Sequence, residues 1–210
     1  VVRPLTPGQN SRGIHNTTYD VDHDGDPDFV AGARMVYWIE NPGGTSARSD
    51  RWVYHVLDDQ IQGVHCVLPA DVDADGKLDL IANEFRPEGP FADSITWQSY
   101  APGPDGGHAF TRNVFADGDA PGGNHYMGFG DIDGDGHPDI ACGAKGYNGF
   151  EGGHWFAWWR NPGPGHEGAG PWERAWFDQS HLGATCIRPA DLDGDGDNDL
   201  LASRGHGSGV

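Results

Sequence analysis

Basic residues are scarce in this chain: 13 Lys and Arg stand against 32 Asp and Glu, for a formal net charge of −19. Charge of that sign repels phosphate backbones and anionic lipid surfaces, which excludes nucleic acid and membrane as partners unless a bound cation reverses it locally. Long apolar runs are missing as well. No stretch approaches the ~20 residues of a membrane-spanning helix, and no signal-peptide pattern opens at Val1. The first residue is not Met, so a processed product or a fragment is expected. Three cysteines, Cys66, Cys142 and Cys186, cannot build a disulfide framework and offer no CxxC spacing for zinc. They read as small buried hydrophobes. Methionine falls to 2 residues while Gly reaches 34 and Pro 15, a composition rich in turns in which long helices are not expected.

What the chain does have is repetition. "DVDHDGDPDFV" starts at Asp20, and its pattern returns as "DVDADGKLDLI" at Asp71, "DIDGDGHPDIA" at Asp131 and "DLDGDGDNDLL" at Asp191, at intervals of 51, 60 and 60 residues. Before each acidic stretch stands a short strand opened by Gly or its neighbours, in "GIHNTTY", "GVHCVLPA", "GNHYMGFG" and "GATCIRPA". After each comes a short apolar strand, in "DFVAGA", "DLIANE", "DIACGA" and "DLLASR". A third, aromatic strand closes on an Asn-Pro-Gly turn in "MVYWIENPGG" and "FAWWRNPGPG", more loosely in "ITWQSYAPGPDGG". "RWVYHVL", "AFTRNVF" and "WERAWF" supply a fourth. Four short strands, A to D, in units of this length predict an all-β fold: a β-propeller of four-stranded antiparallel blades.

The predicted organisation is a single propeller domain or segment over residues 1–210. Within it, 1–12 is read as strand D of a neighbouring blade, 13–58 as blade 1, 59–118 as blade 2, 119–179 as blade 3 and 180–210 as an incomplete blade 4. About four blades' worth of strands, beginning at D and ending after B, are expected to form part of a larger or two-chain ring, because an unpaired strand inside a ring is costly and sticky.

Each acidic loop presents aspartates at its positions 1, 3, 5 and 9, a glycine at 6 for the sharp turn, and a backbone carbonyl at 7: hard oxygen donors of the kind Ca²⁺ takes. The candidate ligands are Asp20, Asp22, Asp24 and Asp28 with Asp26; Asp71, Asp73, Asp75 and Asp79 with Lys77; Asp131, Asp133, Asp135 and Asp139 with His137; and Asp191, Asp193, Asp195 and Asp199 with Asp197. An EF-hand is excluded, since position 12 is Ala31, Ala82, Cys142 and Ala202 where that motif needs Glu. Like charges ~4 Å apart repel by roughly 1 to 4 kcal/mol per pair, so such a loop without a cation is pushed open.

The pattern DxDxDGxxD followed by an apolar strand resembles the FG-GAP or VCBS repeat of integrin α-subunit propellers and many secreted bacterial proteins. The resemblance covers the whole chain, although the tripeptides that name it survive only loosely, as "FG" at Phe129 and "GA" at Gly143. It implies A–B loops on the lower face, one Ca²⁺ in each and about four in all; because each site draws its ligands from one loop and holds one hairpin, a structural ion is expected rather than a catalytic one. Loops of this exposed, local kind bind calcium too weakly for cytosolic concentrations, so an extracellular or cell-surface location is expected.

At the opposite end of strands A and B the sequence places His15, His65 and His125, with Thr185 in the fourth copy, together with Arg34, Arg86, Lys145, Arg204 and His206. As ligand-binding residues they would suit an anionic glycan, and with Tyr147 they would permit the chemistry of a carbohydrate-active enzyme such as a polysaccharide lyase. Structural hydrogen bonds repeated in each blade are the plainer reading. The function expected is a calcium-binding module for adhesion, assembly or glycan binding, with an anionic glycan, another propeller segment or a second copy as partner. An enzyme is the alternative, and no catalytic residue is assigned.

Overall fold

The computed structural model describes residues 15–85, 89–146, 152–166, 168–179 and 184–205. The first sheet contains β1 (His15–Tyr19), β2 (Asp28–Gly32), β3 (Val36–Glu40) and β4 (Val53–Asp58). A second contains β5 (Val64–Ala70), β6 (Asp79–Glu84), β7 (Ile95–Pro102) and β8 (His108–Ala116). The third is β9 (Gly123–Gly130), β10 (Asp139–Lys145), β11 (Trp155–Arg160) and β12 (Glu173–Asp178), and the last is the pair β13 (Ala184–Ala190) and β14 (Asp199–Arg204). Every sheet is antiparallel, with strands in chain order, the architecture of propeller-like blades. The expected strand before β1, at 1–12, lies outside the described residues.

One register is common to all four sheets. Tyr19 pairs with Asp28, Ala70 with Asp79, Gly130 with Asp139 and Ala190 with Asp199. The residue that ends strand A thus always faces the ninth residue of the acidic loop, which is itself the first residue of strand B. The hairpin is closed by the loop's own last aspartate.

Sheets stack through their faces, with β1 beside β5, β5 beside β9 and β9 beside β13. In the first three sheets strand B lies between strands A and C and under a neighbouring sheet, so both of its faces are largely buried, as in the uninterrupted burial of β6, whereas β14 of the last pair is mostly exposed. Small apolar residues such as Ala82, Ala141 and Cys142 fit there. The core is divided into seams. Val21, Val30 and Trp38 of the first sheet meet Val67 and Leu80 of the second. Val72, Ile81 and Trp97 of the second meet Met127, Ile140 and Trp159 of the third, and Ala141 and Phe156 of the third meet Ile187 and Leu200 of the last. The tryptophans of strand C serve packing, as their place in the repeat suggests: Trp38 and Trp159 are fully buried. Close approach of β9 to β13 needs Gly128, where a Cβ would lie 2.5 Å from Pro189 Cδ.

The loop positions that bury Val21 and Val30 are occupied in the last sheet by Leu192 and Leu201, which stand 60% and 58% exposed. Cys66 and Cys142 are buried free thiols and Cys186 is partly buried, in accord with the reading as small hydrophobes. Burial pushes the thiols of Cys66 and Cys142 up to about 12, which makes them poor nucleophiles.

The seam between the second and third sheets sets a testable magnitude. Trp159→Ala removes a buried indole that packs edge-on to Phe115 and Trp155, and is expected to cost about 3–5 kcal/mol in chemical denaturation. Phe177→Ala, at a site 51% exposed, should change stability by no more than about 0.5 kcal/mol.

Candidate metal centres

Each acidic loop is organised by its own side chains. The first aspartate accepts from backbone amides further along the turn: Asp20 from Asp24 N and Gly25 N at 3.0 Å each, Asp71 from Gly76 N at 3.0 Å. Asp131 accepts from Gly134 N and Gly136 N at 2.9 Å, and Asp191 from Gly194 N at 2.7 Å and Gly196 N at 3.2 Å. The aspartate at position 3 accepts from the amide of position 5 in three loops, through Asp73, Asp133 and Asp193. Glycine at position 6 has the left-handed φ expected of it in every copy, from 86° at Gly76 to 100° at Gly196.

Position 4 is left-handed too, which the sequence reading missed. His23 and Ala74 hold φ of 63° and 58°, where the other copies carry Gly134 and Gly194. Those two glycines were the available signal.

These bonds gather carboxylates. In each loop the aspartates at positions 1, 3 and 9 place one oxygen each within 4.8 Å of the others: Asp20, Asp22 and Asp28; Asp71, Asp73 and Asp79; Asp131, Asp133 and Asp139; Asp191, Asp193 and Asp199. The fifth-position aspartates do not join these triads. Asp24, Asp75, Asp135 and Asp195 turn Oδ1 to accept the amides of Asp26, Lys77, His137 and Asp197 at 2.8–3.0 Å, so they fix the position-7 residues instead.

The ninth aspartate is the anchor. Its Oδ2 accepts the amide of the second loop residue at 2.9–3.1 Å in all four copies, from Val21, Val72, Ile132 and Leu192. In the first and third sheets Oδ1 also accepts an amide, from Asn41 and Asn161 at 2.8 Å. These are the asparagines of the Asn-Pro-Gly turns, read in the sequence only as turn formers. They hold the loop as well, donating Nδ2–H to Pro27 O and Pro138 O at 3.1 Å.

Burial acts against ionisation here. It pushes Asp28 and Asp139 up to about 6 against the pull of two amide donors, and neighbouring loop aspartates add to the rise. Asp79, with the Val72 amide but no asparagine brace, goes up to about 7, again mainly through burial. Asp22 Oδ1 and Asp71 Oδ1 are buried oxygens with no hydrogen-bond donor among the described residues. The converging carboxylates, with undonated oxygens in the first two loops, form a set of hard oxygen donors that fits Ca²⁺. The third loop differs: Arg160 Nε lies 2.6 Å from Asp133 Oδ2 and its NH2 group 2.9 Å from Asp135 Oδ2, so a protein cation already offsets part of that charge.

At the other end of the strands the histidines turn inward. His65 and His125 are buried with ring centroids 3.9 Å apart, and Tyr126 packs edge-on to His15, His65 and His125 at 5.3–5.4 Å. His15 Nδ1 accepts the Val67 amide at 3.3 Å, a bond between the first and second sheets. Lys145 Nζ stands 5.1 Å above the Phe85 ring, and Phe85 touches both inner histidines. The structure therefore brings His15, His65, His125 and Lys145 together around Tyr126 and Phe85. Arg34 and Arg204 stand exposed at the ends of strands B, and Arg86, Tyr147 and His206 lie outside the described residues.

Repeated four-stranded sheets, each closed by an acidic A–B loop, define a propeller-like repeat protein. The FG-GAP-like repeat family matches residues 20–82 and 131–202, more than half of the chain, and the chain belongs to that family. No curated protein matches it.

The raised carboxylates set a pH dependence. Without calcium, Asp28, Asp79 and Asp139 ionise at a higher pH in the folded protein than in the unfolded chain, where the carboxyl stays near 3.8. The folded state is therefore favoured while they are protonated, and loses stability as pH rises from about 4 to 7. With calcium the trend inverts, because protons and the ion compete for the same oxygens. Melting at pH 5 and pH 8, in EDTA and in calcium, checks both signs. Asp79→Asn should raise the melting temperature of the calcium-free protein at pH 8 and remove one bound ion.

Proposed function

We propose that the chain is a calcium-bearing propeller module in which each A–B loop holds one Ca²⁺ as a structural ion. The observation that carries this reading is the fourfold recurrence of the same carboxylate triad, each locked by the same hydrogen bond donated by the amide of loop position 2 to the aspartate at position 9. Four dications would supply eight positive charges against the formal net charge of −19.

FG-GAP repeats often bind calcium and are typical of extracellular proteins, and no helix among the described residues is long and apolar enough to cross a membrane. An extracellular scaffold for adhesion, assembly or glycan binding fits these features. Packing supports a scaffold over a catalyst: His65 and His125 are spent on contacts between strands A, where a lyase would need them open to substrate.

Equilibrium dialysis against calcium tests the proposal. The expected result is four ions per chain with dissociation constants on the order of 10⁻⁴ to 10⁻³ M, the range of extracellular modules, and weakest binding at the loop that Arg160 shares. Arg160→Gln should tighten that site alone. Failure to bind calcium at millimolar concentration would rule the proposal out.

A further inference from the structure

Glu40, His55 and His108 form a second kind of cluster, away from the four triads. Glu40 ends β3, His55 lies in β4 and His108 opens β8, so the group spans the seam between the first and second sheets. One carboxylate oxygen and two imidazole nitrogens lie within 4.8 Å of one another. His55 Nε2 is 2.7 Å from Glu40 Oε2, and His108 Nε2 is 3.9 Å from the same oxygen. A tetrahedral ion with bonds of about 2.0–2.2 Å separates its ligand atoms by roughly 3.4 Å, a spacing that the two gaps bracket.

We propose that this cluster binds a first-row transition dication of the zinc type, held by His55 Nε2, His108 Nε2 and Glu40, and that the ion ties the first sheet to the second. Imidazole nitrogen suits zinc and its neighbours and not calcium, so the site is chemically distinct from the acidic loops. Both rings are already oriented. His55 stacks on the buried Trp38 indole at 4.5 Å and 22°, and His108 meets the same indole edge-on at 4.9 Å.

The remaining nitrogen of His108 has a partner of its own: Nδ1 lies 3.4 Å from Tyr100 OH, which leaves Nε2 to face Glu40. The three side chains are 22–29% exposed, so an ion can enter from solvent and keep a water as its fourth ligand. Negative charge is at hand. Asp22 of the first acidic loop couples electrostatically to both Glu40 and His108, and His23 of that loop packs edge-on against Tyr100 at 5.4 Å.

The competing account is a simple Glu40–His55 hydrogen bond with His108 as a neighbour. Titration of calcium-saturated protein with Co²⁺, then Zn²⁺, separates the two. The proposal predicts one equivalent of Co²⁺ with the visible absorption of a four- or five-coordinate site, its displacement by Zn²⁺, and a rise in melting temperature. His108→Gln and His55→Gln should each weaken Co²⁺ binding by more than about tenfold and abolish the absorption, with calcium stoichiometry unchanged. Glu40→Gln is the third variant, and a cooperative melt in calcium shows which variants fold. Absorption that survives in the folded variants, or no Co²⁺ uptake by the parent protein at about tenfold excess, would overturn the site. Calcium binding is read separately, so a failure of the acidic loops and a failure of this cluster give different results.

Discussion

Carboxylates held together at the root of each blade are the constraint from which the rest of the structure follows. Strand A ends opposite the position-9 aspartate in each hairpin, and in the first three that aspartate is buried with two other loop carboxylates beside it. Hydrogen bonds from backbone amides orient the oxygens but do not remove the repulsion. A dication would do both, and under the proposed function it turns the most costly feature of the loop into a cross-link between the first and last residues of the turn. The hydrogen bond donated by the position-2 amide to that aspartate holds Val21, Val72 and Ile132 in the seam with the next sheet, which couples loop order to packing.

Packing passes that order along the row of sheets. Each seam uses the same loop-proximal positions, so one blade presents what its neighbour receives, as Val30 and Trp38 receive Leu80, and Ile81 and Trp97 receive Ile140. Inner strands contribute further ties, through the His15–Val67 bond and the stacked histidines around Tyr126. Leu192 and Leu201 carry the same positions to the surface of the last sheet.

Strands, loops and triads were legible in the sequence because their determinants are local and repeated: the aspartates at 1, 3 and 9, Gly at 6 and the apolar strand behind them lie within a dozen residues. Less of the site was legible where a partner is remote. Asn41 and Asn161 brace aspartates 13 and 22 residues away, so their motif showed a turn and hid the brace. Aspartates at position 5 look equivalent to their neighbours in sequence, and only the turn geometry assigns them to the position-7 amides. The histidines repeat with the blades, but whether they face solvent or each other is decided by how strands A converge. Glu40, His55 and His108 lie in strands C and D, but their residue types do not recur at the matching positions of the other blades, and only the seam between two sheets unites them.

The most direct test of the central claim is the melting temperature of the protein in calcium, after chelation by EDTA, and after calcium is restored. The account predicts a large drop on chelation that calcium alone reverses, because four hairpins lose and regain their cross-links together. A melting temperature indifferent to EDTA, in protein shown to have carried calcium beforehand, would contradict it.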